Sequence, residues 1–316
     1  MDIVAEPGTL RYAATDDDVR KPLTGFNRKE DMAVQAVIQK VLPWIILLLA
    51  AWLFLRWFEW KNLYYPAREI RITPEDLRLA YEEIEFLTED GHTLHGWWFP
   101  CKHARGTILV CHGNAGNIGD RVWMAGDLLR LGVNVFLFDY RGYGRSRGIA
   151  TEKGLYRDAR AAYEVVRARY NDMDDPPVIV YGRSLGAAVA VQLAADKPVR
   201  GLIAESTFTS VVDMAGHLYP VLPVGLLCHD RYDSIRKVDR LKMPKIFAHS
   251  RGDTLIPYAM GRALYEKAAP PKRFYELTGD HNDSGWMQSS GYWRGLEQFV
   301  HEVFGAQQKN KAAAME

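Results

Sequence analysis

The 316 residues are 48% hydrophobic and 25% charged, which supplies core for one large or two small domains and excludes a disordered chain. Forty basic residues against 39 acidic ones leave a net charge of +1, and with no basic-aromatic motif beside them the balance excludes nucleic acid as a partner. Cys101, Cys111 and Cys228 cannot all pair and lack C-x-x-C spacing, which argues against a disulfide scaffold or a zinc site.

Residues 1–40 are mixed in charge, and Asp16, Asp17, Asp18 and Pro22 interrupt any early helix. They read as a tail, with a short surface helix near Lys29 to Gln39. Residues 41–58 are almost unbroken apolar sequence with Arg56 near the end. Eighteen helical residues reach roughly 27 Å, enough to cross a hydrocarbon core. Arg56 can snorkel, and Trp57, Trp60, Tyr64 and Tyr65 form an aromatic belt at the exit. A buried core helix or a signal-peptide core is the competing reading, and the 40-residue lead without a small-x-small cleavage site disfavours a cleaved signal. The expectation is a single-pass membrane anchor. Lys21, Arg28, Lys29 and Lys40 before the span match Lys61, Arg68, Arg71 and Arg78 after it, so the positive-inside count leaves both orientations open.

Residues 59–81 read as a proline-marked linker, 82–304 as a catalytic domain and 305–316 as a C-terminal tail. Residues 84–99 alternate around Asp90-Gly91, a hairpin signal. Strand-like runs follow at 107–111, 133–138, 178–181, 201–204, 245–249 and 273–277, with helical stretches between most of them. Strands alternating with long helices imply right-handed crossovers and a mainly parallel sheet covered on both faces. Residues 208–228 break this rhythm and have the length of a small lid, with enough apolar side chains in 211–227 to line an acyl channel or dip into a membrane interface.

In such a sheet, ligands bind at the carboxyl ends of the strands. Four polar groups stand there. Gly182-Arg183-Ser184-Leu185-Gly186 follows the run 178–181 and precedes small residues at helical spacing. A G-x-S-x-G between strand and helix is a sharp turn that lifts the serine hydroxyl above the sheet. His112-Gly113-Asn114-Ala115-Gly116-Asn117 follows the run 107–111. Its glycines let a backbone N–H approach a substrate carbonyl, so Asn114 and Leu185 are the candidate oxyanion donors. A phosphate-cradling loop, or a helix cap by Asn117, is the plainer alternative. Asp253 and His281 lie in polar turns after two late strands. A serine hydroxyl needs an imidazole to accept its proton, and the imidazole needs a carboxylate to hold its tautomer. The order Ser184, Asp253, His281 suits that arrangement.

The chain resembles the α/β-hydrolase superfamily. His112-Gly-Asn-Ala-Gly-Asn-Ile118, Asp139-Tyr-Arg-Gly-Tyr-Gly144 and Gly182-Arg-Ser-Leu-Gly186 are similar to the single-pass membrane serine hydrolases of that superfamily. The likeness covers roughly residues 62–304. It implies an α/β-hydrolase fold, a mostly parallel eight-stranded sheet whose second strand is antiparallel, flanked by helices and here preceded by one transmembrane helix. It also implies a triad of Ser184, Asp253 and His281, no metal or organic cofactor, and hydrolysis of esters, thioesters or amides, with acylated lipids or membrane proteins as partners. Asp280 departs from the family, which often has a small residue before the histidine, and an extra carboxylate there could compete with Asp253. Asp283 and Glu205 rank below Asp253 for the same role.

Arg141, Arg145 and Arg147 either form a cationic rim for a substrate phosphate or carboxylate, or Asp139 and Arg141 brace neighbouring strand-end loops while the other two arginines are solvated, the second being the plainer reading. Arg183 reads as a partner for a loop carboxylate. The expected function is therefore a membrane-anchored serine hydrolase of acyl esters or thioesters. A serine peptidase or amidase of the same fold, and a non-catalytic membrane scaffold, are the alternatives.

Overall fold

The computed structural model describes residues 28–283 and 290–313, and it divides into two compact units after Phe54. The expected tail at 1–27 lies outside the described residues. Helix α1 runs from Arg28 to Leu63 without interruption, so the separate surface helix at 29–39 and the span at 41–58 are one element. Between them stands no glycine, and Pro43 lies inside the helix without ending it. From Met32 to Leu63 the helix is long and apolar enough to cross a membrane.

The unit from Leu55 onward is built on one eight-stranded sheet. Its strands are β2 (Glu82–Leu87), β3 (Thr93–Phe99), β4 (Thr107–Cys111), β6 (Asn134–Phe138), β7 (Val178–Arg183), β8 (Gly201–Glu205), β9 (Lys245–Ser250) and β10 (Lys272–Leu277). They stand in the order β10-β9-β8-β7-β4-β6-β3-β2. β3 is antiparallel to β2 and to β6, and the other pairs are parallel. The β2–β3 turn carries Gly91 at φ 79°, a backbone that glycine adopts without a steric cost.

The central parallel strands β4, β6, β7 and β8 are mostly apolar on both faces, as sandwiching between helices requires. On one face Leu109, Phe136, Phe138, Val180 and Leu202 pack with α3 (Glu152–Ala168), α4 (Leu185–Asp196) and α7 (Tyr258–Lys267). On the other, Ile108, Val110, Val135, Ile179 and Ile246 meet α2 (Val122–Leu129) and α8 (Ser290–Ala313). α8 continues through residues 305–313, expected as a tail, because 306–313 hold no helix breaker.

Two parts of the chain expected as linker and lid take definite structure. Strand β1 (Tyr65–Pro66), in the linker, pairs in parallel with β5 (Ala115–Gly116). The expected lid is a pair of short helices, α5 (Val211–Leu218) and α6 (Val224–Leu227), with Val221 91% and Leu226 88% exposed. The last turns of α1 hold this pair. Arg56 Nη2 donates to the Leu227 carbonyl at 2.7 Å, and Glu59 Oε1 accepts the N–H groups of His229 and Asp230 at 2.8 and 2.9 Å.

Candidate active site

β7 ends at Arg183 and α4 starts at Leu185, so a single residue turns the chain from strand to helix. That residue, Ser184, has φ 55° and ψ −125°, strained for any side chain beyond glycine. The turn closes only because its neighbours are glycines. A Cβ on Gly186 would lie 2.0 Å from the Cys111 carbonyl oxygen, and one on Gly182 would lie 2.3 Å from the Gly186 carbonyl oxygen. The strained backbone is held from β8 and the segment after it. Ser184 N–H donates to the Glu205 carbonyl at 2.9 Å, and Thr207 Oγ1 donates to the Ser184 carbonyl at 2.9 Å.

Three side chains from three strand ends meet at this turn. His281 Nε2 lies 3.1 Å from Ser184 Oγ, and His281 Nδ1 lies 2.7 Å from Asp253 Oδ2. Asp253 Oδ1 accepts the N–H groups of Leu255 at 3.0 Å and Ile256 at 2.7 Å. Ser184, Asp253 and His281 are 8%, 9% and 7% exposed, buried enough for strong electrostatics and still open to a ligand. Burial pushes the Asp253 carboxyl up, but bonds from His249, His281 and the Ile256 N–H outweigh it and hold the group well below the usual carboxylate range. Asp253 therefore carries its charge at neutral pH and can stabilise an imidazolium.

Sequence reasoning alone misses His249. Its Nε2 lies 3.3 Å from Asp253 Oδ2 and 3.0 Å from the Ile256 carbonyl, so it gives the carboxylate a second imidazole neighbour besides His281. Its place as the penultimate residue of β9, four before Asp253, is the signal that could have found it.

The other carboxylates near the histidine have separate duties. Asp280 Oδ1 accepts from Thr254 N, Thr254 Oγ1 and His281 N at 2.9, 2.7 and 2.7 Å. It ties the two turns together, and the imidazole bonds Asp253 instead. Asp283 Oδ2 accepts the Asp280 N–H at 2.7 Å. Glu205 is buried, accepts the hydroxyls of Tyr181 (2.5 Å) and Tyr292, and is pushed up by burial. Arg183, expected to pair with a carboxylate, bonds the backbone. Its Nη2 donates to the carbonyls of His281 and Asp283, so the elbow grips the histidine turn there.

Asn114 sits in the loop after β4, close to the elbow: a Cβ added to its neighbour Gly113 would lie 3.7 Å from Ser184 Cβ. The loop is fixed by the last residue of α1, the chain just after it and Tyr143. Asn114 Nδ2 donates to the Leu63 carbonyl at 3.1 Å, and the Asn114 carbonyl accepts from Tyr65 N at 3.0 Å and Tyr143 Oη at 2.7 Å. Asn117 is a helix cap, its Oδ1 accepting the Gly119 N–H at 2.9 Å, and its amide also donates to the carbonyls of Ala67 and Glu69. Leu185 is the first residue of α4, so its N–H lies among the donors at a helix start that have no partner within the helix. Behind the loop, burial and the nearby Arg121 charge push the His112 imidazole down to about 3, which keeps it neutral.

A cavity of about 260 Å³ opens beside Ser184 and His281, lined also by His112, Asn114, Tyr181, Arg121 and Arg183. Its described lining comes mainly from β4 and the chain after it, the elbow and the 281–282 turn. Residues 208–228 contribute nothing to that lining, so the expectation that they wall an acyl channel is not met there. Arg141 and Arg145 do not form a cationic rim: Arg141 fills the expected bracing role, and Arg145, expected to be solvated, is half-exposed and takes a carboxylate partner. Arg141 binds Asp158 at 2.9 Å through Nε and Asp90 at 2.8 and 2.9 Å through Nη1 and Nη2. Arg145 pairs with Glu83, and Asp139 Oδ1 accepts the Ile118 N–H at 3.0 Å. Among the described residues, no group of three or more His, Cys, Asp or Glu is placed to hold a metal ion.

Comparison with known proteins places this site in context. Residues 102–232 match the family described as serine aminopeptidase, S33. A Mycobacterium tuberculosis protein is 35% identical over 253 residues, covering 78% of this chain and 89% of its own length. The Arabidopsis thaliana alpha/beta hydrolase domain-containing protein WAV2 is 35% identical over 274 residues, covering 78% and 88%. Protein bem46 of Schizosaccharomyces pombe is 33% identical over 261 residues, covering 77% and 86%. Among solved structures, a Pyrococcus furiosus esterase superposes with a TM-score of 0.61 at 22% identity, covering 77% of this chain and 97% of its own. That likeness concerns the fold.

Proposed function

The chain belongs to the α/β-hydrolase superfamily, and from that premise we propose that it is a membrane-anchored serine hydrolase cleaving carboxylic esters or thioesters of acyl groups on lipids or membrane proteins. The hydrogen-bonded series Asp253, His281, Ser184 on a strained strand-to-helix turn carries this reading. Ser184 Oγ attacks the carbonyl carbon while His281 Nε2 takes its proton, and Asp253 stabilises the resulting imidazolium. The N–H groups of Asn114 and Leu185 receive the oxyanion. Collapse of the tetrahedral intermediate breaks the bond to the leaving group, which takes the proton from His281 and departs, leaving an acyl-enzyme. Water then attacks with His281 again as base, and the acid and free Ser184 are regenerated.

The anchor rests on the apolar helix Met32–Leu63 and the lipid-derived substrate on that anchor together with the exposed apolar residues of α5, α6 and their connection. A peptidase reading is favoured by the description of the matched family. An aminopeptidase needs a carboxylate for the substrate ammonium, and Asp120 lines the cavity with one oxygen accepting the Asn117 N–H at 3.0 Å. The decisive assay is turnover of matched p-nitrophenyl acyl esters, acyl thioesters and aminoacyl anilides by the wild type and Ser184→Ala. Ester or thioester turnover that falls by at least about 10³-fold in the variant is expected. Anilide turnover exceeding both would replace the ester reading.

A further inference from the structure

The cavity beside Ser184 has a charge pattern that acyl transfer does not call for. Two guanidinium groups, from Arg121 and Arg183, line it together with Ser184 and His281. Each is anchored by neutral carbonyls. Arg121 Nη2 donates to Ala115 O at 3.0 Å and Nη1 to Asp120 O at 3.2 Å, while Arg183 Nη2 donates to the carbonyls of His281 and Asp283. Backbone carbonyls orient a guanidinium but leave its charge unneutralised, whereas other inward arginines of this protein, such as Arg141, take carboxylates. Three acids lie close, one of them Asp139, which is buried and pushed toward its neutral form by that burial. Asp120 lines the same cavity, with one oxygen in the cap of the following 3-10 turn. Glu205 stands behind Tyr181 with both oxygens taking tyrosine hydroxyls, and burial pushes it toward its neutral form. Burial also lowers the Arg121 guanidinium from its ordinary value, Asp120 opposes that, and the like charge of Arg183 adds to it. Two cations on the wall of one recess repel, and an anionic ligand oxygen relieves that repulsion.

We propose that Arg121 and Arg183 form an anion subsite, so that the ester cleaved at Ser184 carries a carboxylate or phosphate close to its scissile carbonyl. The inference rests on Ser184 being the nucleophile and specifies its substrate. At about 260 Å³ the recess is smaller than the roughly 300–1,000 Å³ of sites that enclose drug-sized ligands. It suits a small charged group next to the ester, with the rest of the molecule outside it. The anion can belong to the acyl side, as in a dicarboxylic acid monoester, or to the leaving group, as in an acylated glycerol phosphate. Arg183 also grips the His281 turn, which makes Arg121 the cleaner residue to vary.

The test uses the full chain and two matched pairs. One pair is mono-p-nitrophenyl glutarate against p-nitrophenyl valerate. The other is 1-acylglycerol 3-phosphate against 1-monoacylglycerol with the same acyl chain. A charge-assisted contact predicts a kcat/KM ratio about tenfold to hundredfold in favour of the anionic member in one pair, and that pair identifies the source of the charge. Arg121→Gln collapses the ratio and Arg121→Lys restores part of it. Inorganic phosphate inhibits the wild type competitively and loses potency in Arg121→Gln, a readout that a merely structural role for Arg121 would not give. Fluorophosphonate labelling of Ser184 is measured in parallel. Labelled wild type that prefers the neutral ester in both pairs, or an anion preference unchanged in both Arg121 variants, overturns the subsite while leaving the nucleophile standing. Absence of labelling overturns the nucleophile itself.

Discussion

Replacing Ser184 by glycine is predicted to make the protein more stable than replacing it by alanine, although both variants are inactive. Each variant removes the hydroxyl and its 3.1 Å contact with His281 Nε2, so that loss cancels between them. They differ in the backbone at φ 55° and ψ −125°, where alanine retains a Cβ and the strain that comes with it. Such strain costs about 1–3 kcal/mol. Glycine relieves it but gives back about 0.4–1 kcal/mol through its greater freedom in the unfolded chain. The net advantage of Ser184→Gly over Ser184→Ala is about 1 kcal/mol. In a domain of this size that corresponds to roughly 2–4 °C in Tm. Thermal melting of the two purified variants in the same detergent, followed by tryptophan fluorescence, measures it. An alanine variant that melts at or above the glycine variant would refute the claim that the turn stores strain for the sake of the side chain it presents.

Asp253→Asn is expected to lower kcat by on the order of 10³–10⁴-fold by releasing the His281 tautomer, whereas Asp280→Asn, at a carboxylate that bonds Thr254 and the His281 backbone N–H, costs less than about tenfold. Steady-state kinetics on one short ester compares them, and equal losses would mean that Asp280 shares the acid's role. Arg141→Ala strands the buried carboxylate of Asp158 and is expected to cost about 3–5 kcal/mol in urea unfolding; a loss under about 1 kcal/mol would return Arg141 to a role in ligand binding. The pH dependence follows from the sign of the Asp253 shift. Its folded carboxyl titrates below the ordinary 3.8, so its contribution to stability is present in full above about pH 5 and is lost as pH falls through the folded value. The stability gap between wild type and Asp253→Asn should therefore be widest near neutrality and narrow below about pH 4, and a gap that widens in acid would contradict the assignment.

The sheet is legible in the sequence because its central strands are short, mostly apolar runs bounded by polar turns, as at Thr107–Cys111 and Gly201–Glu205. Side chains at the strand ends, Ser184, Asp253 and His281, stand out because packing gives no reason for them there. What the sequence hides depends on partners without a residue signature. Arg183 bonds two backbone carbonyls, and any residue could supply those. The β1–β5 pairing joins Tyr65 to Ala115 across about 50 positions and is too short to show a period of two. His249 reaches Asp253 only because the turn after β9 folds back. The continuity of α1 is invisible to a reading that takes the change in composition near Lys40 as a boundary, since helix propensity alone carries the backbone through it.

The central claim is that Ser184 is a nucleophile activated by His281, and mass mapping of a fluorophosphonate adduct tests it most directly. The account predicts a single stoichiometric adduct on the peptide containing Ser184, absent in Ser184→Ala and formed much more slowly in His281→Ala. An unmodified Ser184 in the folded wild type, or an adduct that persists in Ser184→Ala, would contradict it.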